Sequence, residues 1–257
     1  MGQVACLAVG ADPELELVAA VDPRLGGIDL RQVLGTDASG VQVAASVEEI
    51  ERAGVEVAVD FTVAEAAEEH IRWCAAHGVH AVVGTTGIDD EVLADLRDLF
   101  ASASSNCVIA PNFAVGAVLM MRFAEMAAPV MGGAEIVELH HDGKLDAPSG
   151  TAMLTARRMA RARRDAQAEP WAGDRTQTEV VASARGGEVD EGVRIHSVRL
   201  PGLVAHQEVI FGAAGQSLVI RHDAYDRTSF MPGMVLAIKE VGRRPGLTVG
   251  LDALLGF

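Results

Sequence analysis

Residues 80–113 read HAVVGTTGIDDEVLADLRDLFASASSNCVIAPNF, and their order decides the fold. His80–Val83 (HAVV) is short and apolar and predicts a buried strand. Gly84-Thr85-Thr86-Gly87 closes it. A helix over about 89–99 follows, then a strand at Cys107–Ala110 and a break at Pro111-Asn112. Strands that alternate with helices and carry no polar alternation predict a parallel sheet covered on both faces. The pattern extends upstream. Val55–Phe61 (VEVAVDF) is rich in β-branched residues and predicts another strand. Val63, Ala66, Ala67, Ile71 and Cys74 then share one helical face, with Gly78 as the residue after the helix. Leu15–Val21 (LELVAAV) predicts a strand ended by Asp22-Pro23. Ser46-Val47-Glu48-Glu49 has capping-box spacing and opens a short helix to Ala53.

The pattern changes after residue 112. Phe113–Ala128 predicts a long helix, Glu135–His140 a strand and Gly150–Arg164 another helix. A charged, Trp-containing surface loop is expected over 163–177. Extended segments follow at about 178–184, 193–200, 204–212 and 216–222, and a helix at about 229–242. Consecutive strands joined by short turns predict a mixed or antiparallel sheet. The expected architecture is therefore α/β: a Rossmann-like parallel-sheet dinucleotide domain plus an α+β domain with a mixed sheet. The first is expected at 1–112 and 226–257, the second at 113–225.

Composition bounds the function. The chain has 257 residues, 49% apolar, with a net charge of −15. That excludes a disordered chain and argues against nucleic acid or an anionic membrane as partner. No apolar run approaches the ~18 residues of a membrane span. Cys6, Cys74 and Cys107 are odd in number and form no CxxC pair, so neither a disulfide framework nor a metal site is expected. With no signal-peptide pattern, a cytoplasmic location is expected. Met1–Val9 is apolar at nearly every position and reads as most of a buried helix. A doubly wound sheet normally begins with a strand and a glycine-rich turn before its first helix. The dinucleotide domain thus reads as N-terminally incomplete.

The densest segment is Glu138–Thr151, ELHHDGKLDAPSGT. It leaves a strand with two histidines and a lysine and enters a helix. Histidine handles protons near neutrality, and Lys144 adds positive charge. The first N–H groups of the helix suit a carboxylate or phosphate. Gly84–Gly87 and Ala110–Phe113 follow strands, and Asp60–Thr62 ends one or caps the next helix; the carboxyl ends of strands carry the ligand site in such sheets. Asp22 is either a turn former or a ribose-binding carboxylate. His77 and His80 resemble a metal pair only loosely. Arg157, Arg158, Arg161, Arg163 and Arg164 read as a solvated basic helix end. His196, His206 and His222 read as satisfied sheet residues.

Several ordered motifs resemble the dihydrodipicolinate reductase family over nearly the whole chain. They are VAVDFT (57–62), VVGTTG (82–87), IAPNFAVG (109–116), ELHHDGKLDAPSGTA (138–152), LVAHQEVIFG (203–212) and HDAYDRTSF (222–230). The resemblance implies NADH- or NADPH-dependent reduction of the dihydrodipicolinate synthase product to tetrahydrodipicolinate, in lysine and diaminopimelate biosynthesis. It implies His140 as the proton-handling histidine and Lys144 as a second proton donor. His141, Gly150 and Thr151 would hold the substrate's carboxylates. Gly84, Thr85, Thr86, Ala110, Pro111, Asn112 and Phe113 would contact the nicotinamide side of the cofactor, and Asp22 the adenosine ribose. An acidic residue at 22 disfavours a 2′-phosphate and so favours NADH. The resemblance also implies that 113–225 is the substrate and oligomerisation domain, and that the protein is a homotetramer. A local cationic pocket would hold the dicarboxylate despite the net charge. Where the family carries a GxxGxxG turn, only Met1-Gly2 matches its end. The expectation is a missing strand and loop of about ten residues, from a start codon placed too late or a truncated chain. The alternatives are a non-catalytic nucleotide-sensing or interaction protein on the same fold, or a metal-dependent hydrolase.

Overall fold

The computed structural model describes residues 1–35 and 40–257. The chain forms two compact units, Met1–Val115 with Arg227–Phe257, and Gly116–Asp226.

The first unit is built on a four-stranded parallel sheet of β3 (Val57–Asp60), β4 (His80–Val83), β5 (Cys107–Ile109) and β11 (Leu247–Val249), in the order β11-β5-β4-β3. Alternate residues of a strand face opposite sides. Ala81, Val83, Cys107 and Ile109 therefore pack with Ala67, Ile71 and Cys74 of α3 (Ala64–His77) and Leu96 and Phe100 of α4 (Asp90–Ser102). Val82 and Val108 are also fully buried. Their side of the sheet meets α7 (Met231–Val241), which packs on β4 and β5. Both faces are covered, which is why these strands read as continuous apolar runs.

A second parallel pair, β1 (Ala20–Val21) and β2 (Val43–Ala44), is separate from that sheet. The expected strand at 15–21 is thus only two residues long. A strand exists only where a ladder partner supplies hydrogen bonds, and only Ala20 and Val21 have one. The helix α1 (Gly2–Ala11) forms as expected, but its burial does not follow. Ala5 alone is buried, and Leu7 faces outward. α1 packs against α7, and Lys239 of α7 pairs with Asp12 and Glu14 just beyond it. After the five-residue α2 (Leu30–Leu34), the segment Val47–Ala53 is a 3₁₀ turn whose Ser46 makes no side-chain cap. Glu49 Oε2 accepts the Ala45 N–H instead. The short α8 (Asp252–Leu255) ends the chain.

The second unit holds a five-stranded mixed sheet in the order β10-β9-β6-β8-β7. Its strands are β6 (Gly133–His140), β7 (Gly187–Val189), β8 (Val193–Arg199), β9 (Ala205–Ala213) and β10 (Gln216–Ala224). β6 runs parallel to β8 and antiparallel to β9. Two helices belong to this part of the chain, α5 (Val115–Ala127) and α6 (Gly150–Asp165). α6 covers β6 and β8. Ile136, Val193, Ile195, Val209 and Phe211 are fully buried, as are Ala152, Ala156, Met159 and Ala160 of α6.

Two expectations fail here. Residues 178–184 form no strand; the strand lies later, at β7. Glu179 accepts the N–H groups of Ser183 and Arg185, and Ser183 takes a positive φ of 64°. Those bonds close a turn that leaves Val180 and Val181 exposed. Arg163 is not solvated. It is buried over the Trp171 ring, 4.7 Å from its centroid, and donates to the carbonyls of Ala128, Met131 and Glu169. Orphan carbonyls near helix ends take such donors.

Candidate active site

In the second unit, the site residues grow out of the end of β6. His140 ends that strand, two residues after Glu138 and therefore on the same face. Glu138 is fully buried. Its Oε2 lies 2.5 Å from His140 Nδ1. Arg199 ends β8 directly opposite His140 in the register, and its guanidinium grips both oxygens of Glu138, at 2.9 and 2.7 Å. Burial works against the charge of Glu138. Hydrogen bonds from His140, Arg199 and Ser197 outweigh it and bring the carboxyl down to about 2.

The same pair pins the loop that follows. Arg199 donates to the Asp146 carbonyl at 2.8 Å, and Ser149 N–H reaches Glu138 Oε1 at 3.2 Å. The start of α6 is thereby tied to the carboxylate that holds His140. Ser149 caps α6, its hydroxyl accepting the Ala152 N–H at 3.2 Å. Gly150 and Thr151 lead the helix, where backbone N–H groups and the positive dipole end favour an anion. His141 is exposed, and its carbonyl accepts the Lys144 N–H in a tight turn. Lys144 Nζ donates to Asp146 Oδ1 at 2.6 Å, which holds the Asp146 carboxyl below its ordinary value. His140, His141, Lys144, Gly150 and Thr151 thus share one short segment braced at two points by Glu138 and Arg199. This is an arrangement that can hold a carboxylate and move a proton beside it.

Sequence reasoning left Glu138 and Arg199 without roles. Glu138 carried a signal, because residues i and i+2 of a strand share a face. Arg199 carried none, since only strand pairing brings it to His140.

In the first unit, the loops after β3, β4 and β5 lie at one edge of the parallel sheet. Asp60 ends β3 and accepts from Thr62 N–H, Thr62 Oγ1 and Thr85 Oγ1, at 2.9, 2.8 and 2.7 Å. The buried hydroxyl of Thr85 thus anchors the GTTG loop, while Thr86 is exposed. A Cβ on Gly84 would lie 2.1 Å from the Phe61 ring, so only glycine fits. Phe61 and Phe113 meet edge to face at 5.9 Å. Ala110 is buried and Pro111 exposed, and Asn112 Oδ1 accepts the Ala114 N–H at 2.9 Å. The small residues at this edge fit a flat ring lying against backbone. Asp22 follows β1, and its Oδ1 accepts the Arg24 N–H at 2.8 Å, so it forms a turn whatever else it binds.

Four other histidines have contacts elsewhere. His77 stacks on Trp73, and His80 Nδ1 accepts the Asn106 N–H at 2.9 Å. His196 pairs with Glu135 and His206 with Asp223, both at 2.7 Å. A concavity of about 380 Å³ lies at the start of β6, away from His140. Four of the charged residues that line it pair with one another: Arg185 with Glu135 and Asp174, and Arg194 with Asp174.

A parallel-sheet, Rossmann-like unit followed by a mixed-sheet unit, with a histidine near a helix N-terminus in the second, is the frame of a two-domain nicotinamide oxidoreductase. Two family descriptions match the chain: "Dihydrodipicolinate reductase, N-terminus" over residues 1–113, and "Dihydrodipicolinate reductase, C-terminus" over 116–255. The chain belongs to the dihydrodipicolinate reductase family. It is 50% identical to the 4-hydroxy-tetrahydrodipicolinate reductase of Nocardia farcinica, over 99% of this chain and 94% of that one. The enzyme of the same name from Cutibacterium acnes is 48% identical, over 100% and 95%. The solved structure of a dipicolinate-bound dihydrodipicolinate reductase from Paenisporosarcina sp. TG-14 superposes with a TM-score of 0.84. It is 41% identical, over 98% of this chain and 94% of that one.

Proposed function

We propose that this chain is a 4-hydroxy-tetrahydrodipicolinate reductase acting on a small cyclic dicarboxylate. The observation that carries the reading is the placement of His140 beside the N-terminus of α6, through their shared contact with Glu138. NADH or NADPH, when bound, supplies the hydride. The first unit is the dinucleotide domain and the second the substrate and oligomerisation domain. Gly84, Thr85, Thr86 and Ala110 through Phe113 take the nicotinamide side, and Asp22 takes the adenosine ribose. The carboxylate at Asp22 favours NADH, because a 2′-phosphate beside it would bring like charges together.

On the substrate side, the chain's own groups bind and move protons. The N–H groups of Gly150 and Thr151, with His141, hold one carboxylate at the helix end. His140 exchanges a proton with the reacting molecule, and Lys144 supplies a second. Dipicolinate, bound in the Paenisporosarcina relative, is a dicarboxylate of the kind this reading requires. The non-catalytic alternative draws no support from the relatives, which are named as reductases and match over 94–95% of their own lengths.

We also propose a homotetramer in the cytoplasm. The edge strand β10 supports the assembly, since Leu218 and Val219 are 42% and 50% exposed there. Among the described residues no helix is long and apolar enough to cross a membrane.

The test is turnover. Purified protein should oxidise NADH or NADPH when given freshly made dihydrodipicolinate synthase product. Absence of turnover with both cofactors overturns the reading.

A further inference from the structure

Glu138 is the most constrained side chain of the candidate site, yet neither the motif nor the proposed chemistry gives it a part. Its two oxygens receive every contact from donors: Arg199 Nη1 and Nη2, the Ser149 N–H, the Ser197 side chain and the His140 ring. Arg199 is itself held by the carbonyls of Val198 and Asp146, at 2.7 and 2.8 Å. An ionised carboxylate can only accept hydrogen bonds, so the imidazole satisfies it only by donating from Nδ1. That hydrogen stays on Nδ1 in both the neutral and the charged ring. The proton that comes and goes is then on Nε2.

We propose that Glu138, braced by Arg199, is a positioning residue that fixes the tautomer and ring orientation of His140, so that Nε2 is the atom that exchanges a proton with the substrate. The proposal rests on the reading of His140 as the proton-handling residue. A merely structural role would be to tie β6, β8 and the 141–149 loop together. That role is indifferent to which ring nitrogen of His140 carries the hydrogen. Glu138→Gln separates the two. Glutamine has the same shape and keeps an oxygen for Arg199 Nη2 and the Ser149 N–H, giving up only the bond from Arg199 Nη1. Its amide N–H₂ then points at Nδ1 and drives the ring to the Nε2–H tautomer.

The experiment uses the full chain labelled with ¹⁵N-histidine. Imidazole ¹⁵N–¹H correlations are recorded for wild type and Glu138→Gln, with His140→Gln identifying the His140 signals. Steady-state kinetics on the same samples follow. The expected result is Nδ1–H in wild type and Nε2–H in Glu138→Gln. The variant's kcat should fall by ~10²–10⁴-fold, the size of a general acid–base contribution, with KM for the nicotinamide cofactor unchanged. Glu138→Asp, which keeps the carboxylate, should recover the Nδ1–H tautomer and part of the rate. A neutral ring with Nε2–H and no hydrogen on Nδ1 in the wild type overturns the proposal, as does Glu138→Gln that keeps Nδ1–H and full kcat. If Glu138→Gln does not fold, the wild-type tautomer decides alone. Wild-type protein that turns over neither cofactor sinks the reductase reading instead, while its tautomer still tests this proposal.

Discussion

Both units place a carboxylate in the last residues of a strand and hold a histidine to it through Nδ1. In the first unit Asp60 holds His70 at 2.6 Å; in the second Glu138 holds His140 at 2.5 Å. The remaining partners differ. Asp60 is surrounded by hydroxyls and backbone: Thr62, Thr85 and the Thr62 N–H. Glu138 has the guanidinium of Arg199 on both oxygens. Burial opposes ionisation at each carboxylate, and donors overcome it at each, so both titrate below their ordinary values. But the first cluster has only a titratable counter-charge, and the hydrogen bond to Asp60 raises His70 above its ordinary value. The second has a permanent one. A carboxylate that organises a loop can tolerate a partner that titrates. One that orients a proton-handling ring is better served by a charge that never leaves.

The largest expected effect sets the two histidines apart. His140→Gln should lower kcat by ~10²–10⁴-fold with little change in cofactor KM, whereas His70→Gln should leave kcat near wild type. Equal losses in the two variants would erase the functional distinction. Next comes stability. Glu138→Ala strands the Arg199 guanidinium and should cost ~3–5 kcal/mol in a denaturation melt. Asp60→Ala strands only neutral donors and a histidine that can discharge, and should cost ~1–3 kcal/mol.

The pH dependence should diverge in sign. The Glu138 carboxyl stands at about 2 against an ordinary 4.5. Its stabilisation is present above pH 4.5 and lost as pH falls toward 2, a swing of about 3 kcal/mol. Asp60 follows the same acid-side sign. His70 has a raised pKa, so its contribution is complete below about pH 6.5 and is lost as pH rises through its folded value. Melting temperatures measured across acid and mildly alkaline pH should show only the first loss after His70→Gln. The smallest effect tests the loop anchor: Thr85→Val removes one hydrogen bond to Asp60 and should cost ~1 kcal/mol while raising KM for the cofactor. An unchanged KM would detach the GTTG loop from cofactor binding.

Much of this organisation was legible in the chain. The apolar runs at 80–83 and 107–109 have no polar alternation because helices cover both faces of their sheet. The helix α3 announced itself by its 3.6-residue periodicity. Legibility failed where structure depended on a distant partner. The segment 15–19 looks like a strand, but only residues 20 and 21 find a ladder. Residues 178–184 look extended, but local bonds to Glu179 turn them. Arg163 looks like one of several surface arginines, yet three carbonyls and the face of Trp171 enclose it.

What the sequence determined by itself is local: the strand and helix periods, and the clustering of His140, His141, Lys144 and the α6 cap within twelve positions, 140–151. Those features rest on near-neighbour geometry, which spacing along the chain encodes directly. Only the tertiary structure decided how that cluster is held. Arg199 lies 59 residues beyond His140 (199 minus 140) and faces it because β8 pairs with β6. The grip of its guanidinium on Glu138, and hence the orientation of His140, comes from a strand register that no local pattern records.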